Sequence, residues 1–227
     1  MRAAEITTLL DEAVNPARVR TPLPCRELDP LPGPVSRGSL VLDLACIFVP
    51  ARSRALLSGQ GGAPGSVEEK VIRWAHARVR SLVSTLLSGD VRVVAYRPDA
   101  AALTGLGPGL TPTGDDLLVG LAAMSQRLVG GGLVEARAAV AFTTSLAGLP
   151  AGETTPAAHR LLQNASKGRF PAVLASAVEM IGNPHADPES LRTLTVHLAA
   201  TGAHSGADLL AGALALVHGV IDGEEKR

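Results

Sequence analysis

The sequence predicts an α+β chain that is mostly α, with a mixed N-terminal part carrying a few strands and a C-terminal multi-helix bundle. Three observations predict it. Hydrophobic residues make up 46% of the 227 residues but aromatics only 2%, so Leu, Val and Ala must fill the core, and such small side chains let helices approach closely. From Gly114 onward, apolar segments of helical length follow one another with Gly or Pro at the joints. Before that point, two β-branched apolar runs at 39–49 and 91–96 read as strands. The length suits a single domain over residues 1–227, divided into a mixed α/β part (1–100) and a helical part (101–222).

Each element has its own reason. Residues 2–14 suit a short helix, and the Pro- and Arg-rich stretch 15–38 should be extended with little regular structure. The run 39–49, bounded by Gly38 and Pro50, reads as a buried strand, and 58–65 as a loop. Ser66-Val-Glu-Glu69 has the form of a capping box that opens a helix to about Leu87. Its Val71, Trp74, Ala75, Val79, Leu82 and Leu86 recur at helical spacing and should face the core. The run 91–96 reads as a second strand ended by Pro98. Helices are expected at about 114–129, 133–147, 155–166, 170–182, 188–201 and 205–221, with a frayed tail from 222 to 227.

Composition excludes several function classes. Lys+Arg and Asp+Glu both number 21, so no basic footprint points to nucleic acid or an anionic membrane. The scarcity of aromatics removes a stacking platform for bases. No uncharged run reaches the length of a membrane span. The N-terminus lacks the apolar core of a secretion signal, so the expected location is cytoplasmic. The two cysteines, Cys25 and Cys46, make no disulfide framework, and Cys46 reads as a buried thiol. The His and Cys residues show no zinc spacing, so no metal site is assigned.

The chemistry concentrates in Gly105-Leu-Gly-Pro-Gly-Leu-Thr-Pro-Thr-Gly-Asp-Asp-Leu-Leu-Val-Gly120. Glycine reaches positive φ and lets backbone approach a ligand. The apolar run that follows makes the loop a helix start, which favours anions. It is neither a dinucleotide fingerprint, lacking the third glycine at its spacing, nor a P-loop, lacking the Lys. Gly107, Gly109, Leu110, Thr111, Thr113 and Gly114 are therefore read as a nest for a small anion such as a phosphate, carboxylate or carbamoyl group. Asp115 and Asp116 would repel that anion unless they cap the helix, bind amide N–H groups or share a Mg²⁺ with the ligand. Asp116 reads first as a cap and Asp115 as the candidate for a specific role.

The motif has an echo. Thr113-Gly-Asp-Asp-Leu-Leu-Val-Gly120 and Ser205-Gly-Ala-Asp-Leu-Leu-Ala-Gly212 share one pattern at an offset of 92 residues (205 − 113). In both, the hydroxyl residue suits an N-cap and Asp116 or Asp208 the N3 position. Gly120 and Gly212 sit inside helices at a cost of about 1 kcal/mol against Ala, which points to close contact. The expectation is one shared site, related by approximate twofold symmetry, that adds Ser205, Gly206 and Asp208 to the first loop. His204, beside the second helix start, is a candidate proton carrier, and Thr154 and Thr155 are candidates to line the pocket.

These residues resemble the signature of the bacterial AllH family, typified by a subunit of oxamate carbamoyltransferase. The resemblance rests on 105–120, on Thr154-Thr155 followed by Leu161-Leu and Gly168-Arg-Phe170, and on Thr201-Gly-Ala-His-Ser-Gly-Ala-Asp-Leu-Leu-Ala-Gly212; it covers roughly 103–215. It implies a role in allantoin and purine catabolism and partner subunits in a hetero-complex. In the typified enzyme, oxalurate and phosphate give oxamate and carbamoyl phosphate. The expected ligand is then a small carbamoyl, carboxylate or phosphate anion, with Asp115, Asp116 and His204 as candidate catalytic residues and no certain cofactor, Mg²⁺ being the alternative. Two other functions compete: a non-catalytic scaffolding subunit whose glycine motif serves packing, as part of a hetero-complex or homo-oligomer, and a metal-dependent hydrolase using the Asp pair.

Overall fold

A computed structural model describes residues 25–28, 47–183 and 185–222. The expected helix 2–14, most of the extended stretch 15–38, the strand residues 39–46 with Cys46, and the tail residues 223–227 lie outside the described residues. Nine α-helices and one two-stranded antiparallel sheet make up the described regular structure, apart from a 3₁₀ turn at Ala151–Glu153. The described part is thus mostly helical, with strands confined to a minor role.

Residues 47–50 are irregular, and Pro50 leads into α1 (Ala51–Ser58), a helix that the sequence pattern did not announce. It ends on Gly59 at φ 69°, whose N–H donates to the Ala55 carbonyl. Helix α2 (Val67–Leu87) starts as expected: the Glu69 N–H donates to Ser66 Oγ at 3.1 Å. Glu69 reaches back to the Gly65 N–H, one residue before the cap. Its core face is rotated from the expected one. Ile72, Ala75, Val79, Leu82, Val83 and Leu86 are buried, Val71 is half-buried, and Trp74 is 42% exposed with the Arg78 guanidinium 5.0 Å from its ring centroid.

The expected strand at 91–96 is instead the start of α3 (Val93–Leu103), with Pro98 inside the helix. Tertiary packing overrides the β-branched run: Tyr96, Ala100 and Leu103 recur at helical spacing and are fully buried, with the Tyr96 ring 5.6 Å from that of Phe142. Asp90 starts the turn, its Oδ1 accepting from the Arg92 N–H at 2.8 Å. Proline removes only one helical donor, which the buried face outweighs.

The remaining helices fall close to expectation: α4 (Thr113–Gly130), α5 (Ala136–Ala147), α6 (Pro156–Ala165), α7 (Ala172–Ile181), α8 (Pro188–Ala199) and α9 (Ser205–Asp222). The helix expected from residue 170 starts late because 169–171 form β2 (Arg169–Pro171), paired antiparallel with β1 (Cys25–Glu27) so that Arg26 faces Phe170. This strand lies in the stretch expected to be extended.

The core is organised around α4 and α9. Every residue from Thr113 to Ser125 is buried, as is every residue from Gly206 to Leu214. By length and apolarity α9 would suit a membrane span, but 67% of it is buried inside the protein as a core helix. The two helices touch backbone to backbone. A Cβ on Gly120 would lie 2.0 Å from the Leu209 carbonyl oxygen, and one on Gly212 would lie 2.2 Å from that of Leu117. The contact is reciprocal across the sequence echo, since Leu117 and Leu209, like Gly120 and Gly212, are equivalent positions.

The equivalence extends beyond the motif. The Gly114 N–H donates to the Leu106 carbonyl and the Leu106 N–H to Leu103; likewise Gly206 donates to Thr201 and Thr201 to Leu198. A Cβ on Gly114 would strike the Leu103 oxygen, and one on Gly206 the Leu198 oxygen. Helix, turn and helix therefore repeat as α3–α4 and α8–α9. Leu106 to Gly114 spans eight positions and Thr201 to Gly206 five, so the first connection carries the extra residues of the glycine-rich loop.

Candidate functional site

The twofold packing of α4 on α9 brings both helix starts together. The link between them is Arg52 on α1, which the sequence reading missed. Its guanidinium donates from Nε to Asp208 Oδ1 at 2.5 Å and from Nη2 to Asp208 Oδ2 at 3.0 Å. Nη2 also donates to Thr113 Oγ1 at 2.7 Å. Thr113 Oγ1 and Asp208 Oδ2 can therefore be no farther apart than those two bonds laid end to end. Asp208 is 1% exposed, so the ion pair is desolvated on the carboxylate side. The neighbouring Ser53, fully buried, donates its hydroxyl to the Ala207 carbonyl and seats α1 on α9.

Arg52 explains a departure in capping. Pro112, not Thr113, is the N-cap of α4, and no side chain caps that helix. Thr113 is the first helical residue, and its hydroxyl oxygen accepts from Arg52 instead. The N–H groups of Asp115 and Asp116 donate to the Pro112 carbonyl, and that of Gly114 to Leu106. The open helix end expected for an anion is thus largely closed by the protein's own carbonyls. Gly114 and Gly206 are glycines because carbonyl groups occupy the space of a side chain.

Asp115 is fully buried. Its Oδ2 accepts from Thr154 Oγ1 at 2.6 Å and from the Gly105 N–H at 3.1 Å, while Oδ1 has no hydrogen-bond partner. Burial raises its carboxyl above the ordinary range, and the Thr154 and Gly105 bonds and the charge of His159 act against that. Thr155 caps α6, accepting from the Ala158 N–H at 3.1 Å, and donates its hydroxyl to the Leu110 carbonyl at 2.5 Å. Thr154 and Thr155 thereby fasten the start of α6 to the glycine-rich loop. Gly105 packs on the Glu153 carbonyl, at φ 72°, and Gly107 and Gly109 have φ of 107° and 104°. Gly109 and Leu110 are exposed at the loop tip, with Leu110 at 78%.

Asp116 is the most isolated group. It is fully buried, and neither carboxyl oxygen completes a well-aligned hydrogen bond, so it does not cap the helix. The Ser205 and Thr111 hydroxyls, one from each helix start, lie beside it and favour its charged form. Burial outweighs them and, with the charges of Asp208 and Asp115, pushes the carboxyl well above the ordinary range. A neutral carboxylic acid can donate as well as accept.

The structure thus gathers Thr111, Thr113, Asp115, Asp116, Thr154, Ser205 and Asp208, and adds Arg52 and His159. His204 lies just before α9 with an exposed side chain, and its carbonyl accepts the Asp208 N–H. Among the described residues no three His, Cys, Asp or Glu side chains are placed to hold a metal ion. A cavity of about 420 Å³ lies elsewhere, between α1, α2 and α9, lined by His76, Arg80, His218 and Asp222 among others. Neither Asp115 nor Asp116 lines it. Arg52 and His159 left little trace in the sequence. Arg52 stands in a short segment without clear periodicity, 156 positions from its partner. His159 could have been noticed as one helical turn beyond Thr155.

A model of the family described as oxamate carbamoyltransferase subunit AllH matches residues 103–217, just over half of the chain. Arg52 lies outside the matched span. No curated protein matches, and no solved structure does.

Proposed function

The chain belongs to the oxamate carbamoyltransferase subunit AllH family, and on that premise we propose that the junction of its two helix starts binds a small carbamoyl or carboxylate anion in a carbamoyltransferase assembled with other subunits. The observation that carries this reading is Asp116. Native proteins rarely leave a buried carboxyl without well-formed hydrogen bonds, and when they do the group marks the place of a ligand or a catalytic event. Here the orphan lies beside hydroxyls from both motifs.

The residues divide the work by charge. Arg52 draws the anionic end of the ligand while remaining paired with Asp208. Thr111, Thr113 and Ser205 offer hydroxyls that donate to its oxygens. Asp116, held neutral by burial, donates a hydrogen bond to a carbonyl or phosphate oxygen, where charge grows as an acyl group changes hands. Gly107 and Gly109 let the loop backbone close on the ligand, and Leu110 covers it at the rim. Catalysis would then rest on positioning and oxyanion stabilisation. His204, exposed beside the second start, is the weaker candidate for handling a proton.

A second reading has its own observation. Gly114, Gly120, Gly206 and Gly212 all meet backbone carbonyls, so much of the motif is accounted for by helix packing. That favours a scaffolding subunit. A thermal-shift titration with phosphate, carbamoyl phosphate and oxamate separates the two. The binding reading expects a rise in melting temperature that Asp116→Ala, which keeps no donor, removes without unfolding the chain. No shift in the wild type, alone or with its partner subunits, would select the scaffold.

A further inference from the structure

The cavity between α1, α2 and α9 is lined by none of the residues gathered at the helix starts. Its walls sort by burial. Leu56 of α1, Val79 and Val83 of α2, Leu117 of α4 and Ala211 of α9 are buried and form an apolar floor. Half-buried His76 and the exposed Arg80, His218 and Asp222 stand at the edge facing solvent. The walls are fastened to one another. The His76 ring donates from Nδ1 to the Leu56 carbonyl at 3.1 Å and ties α2 to α1. The Ser53 hydroxyl on the Ala207 carbonyl ties α1 to α9. Helix α9 meets α2 at Gly219, where a Cβ would lie 2.3 Å from Val83 Cγ1. Ala211, Ala215 and Gly219 recur every four residues on α9, so that wall offers no side chain long enough to fill the space. The volume of about 420 Å³ falls within the ~300–1,000 Å³ of small-molecule sites.

The edge favours one sign of charge. Among the described residues that line the cavity, Asp222 is the single carboxylate, against the Arg80 guanidinium and two imidazoles. Arg73 and Arg78 on the same helix pair with Glu69 and Asp99, whereas Arg80 makes no ion pair with any described residue. We propose that this cavity binds an amphipathic monoanion, an apolar chain ending in a carboxylate, with the chain on the apolar floor and the carboxylate on Arg80. The chain gains by leaving water, and the guanidinium and carboxylate form a charge-assisted hydrogen bond. A wholly polar anion such as oxamate or phosphate leaves the floor bare and is a poor match. The site is separate from the helix starts and does not depend on what binds there.

Calorimetric titration of the full chain with octanoate, hexanoate and octanol tests it. Octanoate should bind at a single saturable site. Hexanoate, shorter by two methylenes, should bind up to about fifteenfold more weakly, since each buried methylene is worth about fourfold. Octanol, which keeps the chain but not the charge, should also bind more weakly than octanoate. Arg80→Gln, at an exposed position, should weaken octanoate roughly fivefold or more and leave octanol unchanged. Ala215→Leu, which puts a larger side chain into the cavity, should abolish the binding of both. Circular dichroism checks that each variant is folded, and Arg80→Gln still decides the matter if Leu is not tolerated at 215. Octanoate affinity unchanged in folded Arg80→Gln would overturn the place of the carboxylate, and affinity unchanged in folded Ala215→Leu would overturn the cavity as the site. A folded wild type that binds neither octanoate nor octanol would overturn the proposal outright. So would displacement of octanoate by oxamate, which would put octanoate at the helix starts.

Discussion

The carboxyl of Asp116 ties burial to a pH dependence. Burial pushes its folded-state titration well above the ordinary carboxylate value of 3.8, so between the two values the folded chain binds a proton that the unfolded chain has lost. Stability from this group is therefore present at low pH and is lost as pH rises from 3.8 through the folded value. Asp116→Asn, which cannot ionise, should melt at or above the wild-type temperature at pH 7, with the gap closing as pH falls toward 4; a variant less stable at pH 7 than at pH 4, relative to wild type, would contradict this. Arg52→Ala strands the Asp208 carboxylate in the core, and breaking such a pair costs about 3–5 kcal/mol at full burial. Because Arg52 retains 22% side-chain exposure, the lower part of that range is expected in chemical denaturation. Arg52→Ala with Asp208→Asn should recover part of the loss, which separates charge stranding from lost packing.

At the scale of elements, the reciprocal contact of α4 and α9 decides what the glycines do. Gly→Ala in an exposed helix gains about 1 kcal/mol from propensity. At Gly120 and Gly212 the added methyl meets a carbonyl oxygen at 2.0 and 2.2 Å, so the helices must separate. Each substitution should destabilise by a net ~1–3 kcal/mol or more. Gly152→Ala, with nothing within 4 Å, serves as the control and should stay within about 0.5 kcal/mol in the same denaturation experiment. The pairing of these helix starts was legible because the motif is spelled twice, down to the interior glycine. Helix α3 was not, because Val91, Val93 and Val94 have the composition of a strand while the deciding partners, Phe142 among them, lie far along the chain. The core face of α2 was legible at Ala75, Val79, Leu82 and Leu86. It failed at Trp74, where apolar character was read as burial although the ring stacks with Arg78 at the surface.

At the scale of the whole molecule, the two halves of the sequence contribute unequally. The part from Leu103 to Val217 supplies both helix starts and the threonines of α6, and the family match covers the same span. The polar site residues there were readable because chemistry and loop conformation share one short segment. The guanidinium that joins the two starts comes from α1, where local pattern carries no sign of a partner 61 or 156 positions away. A single ligand site built from both helix starts must lose affinity when either start is changed. Calorimetry with oxamate and carbamoyl phosphate on Thr111→Val, from the first start, and Ser205→Ala, from the second, tests it most directly. Each substitution, in a chain that remains folded, is expected to weaken binding roughly fivefold or more, about the loss of one net hydrogen bond. Wild-type affinity in the Ser205→Ala chain alongside lost affinity in Thr111→Val would show that the ligand belongs to the first loop alone.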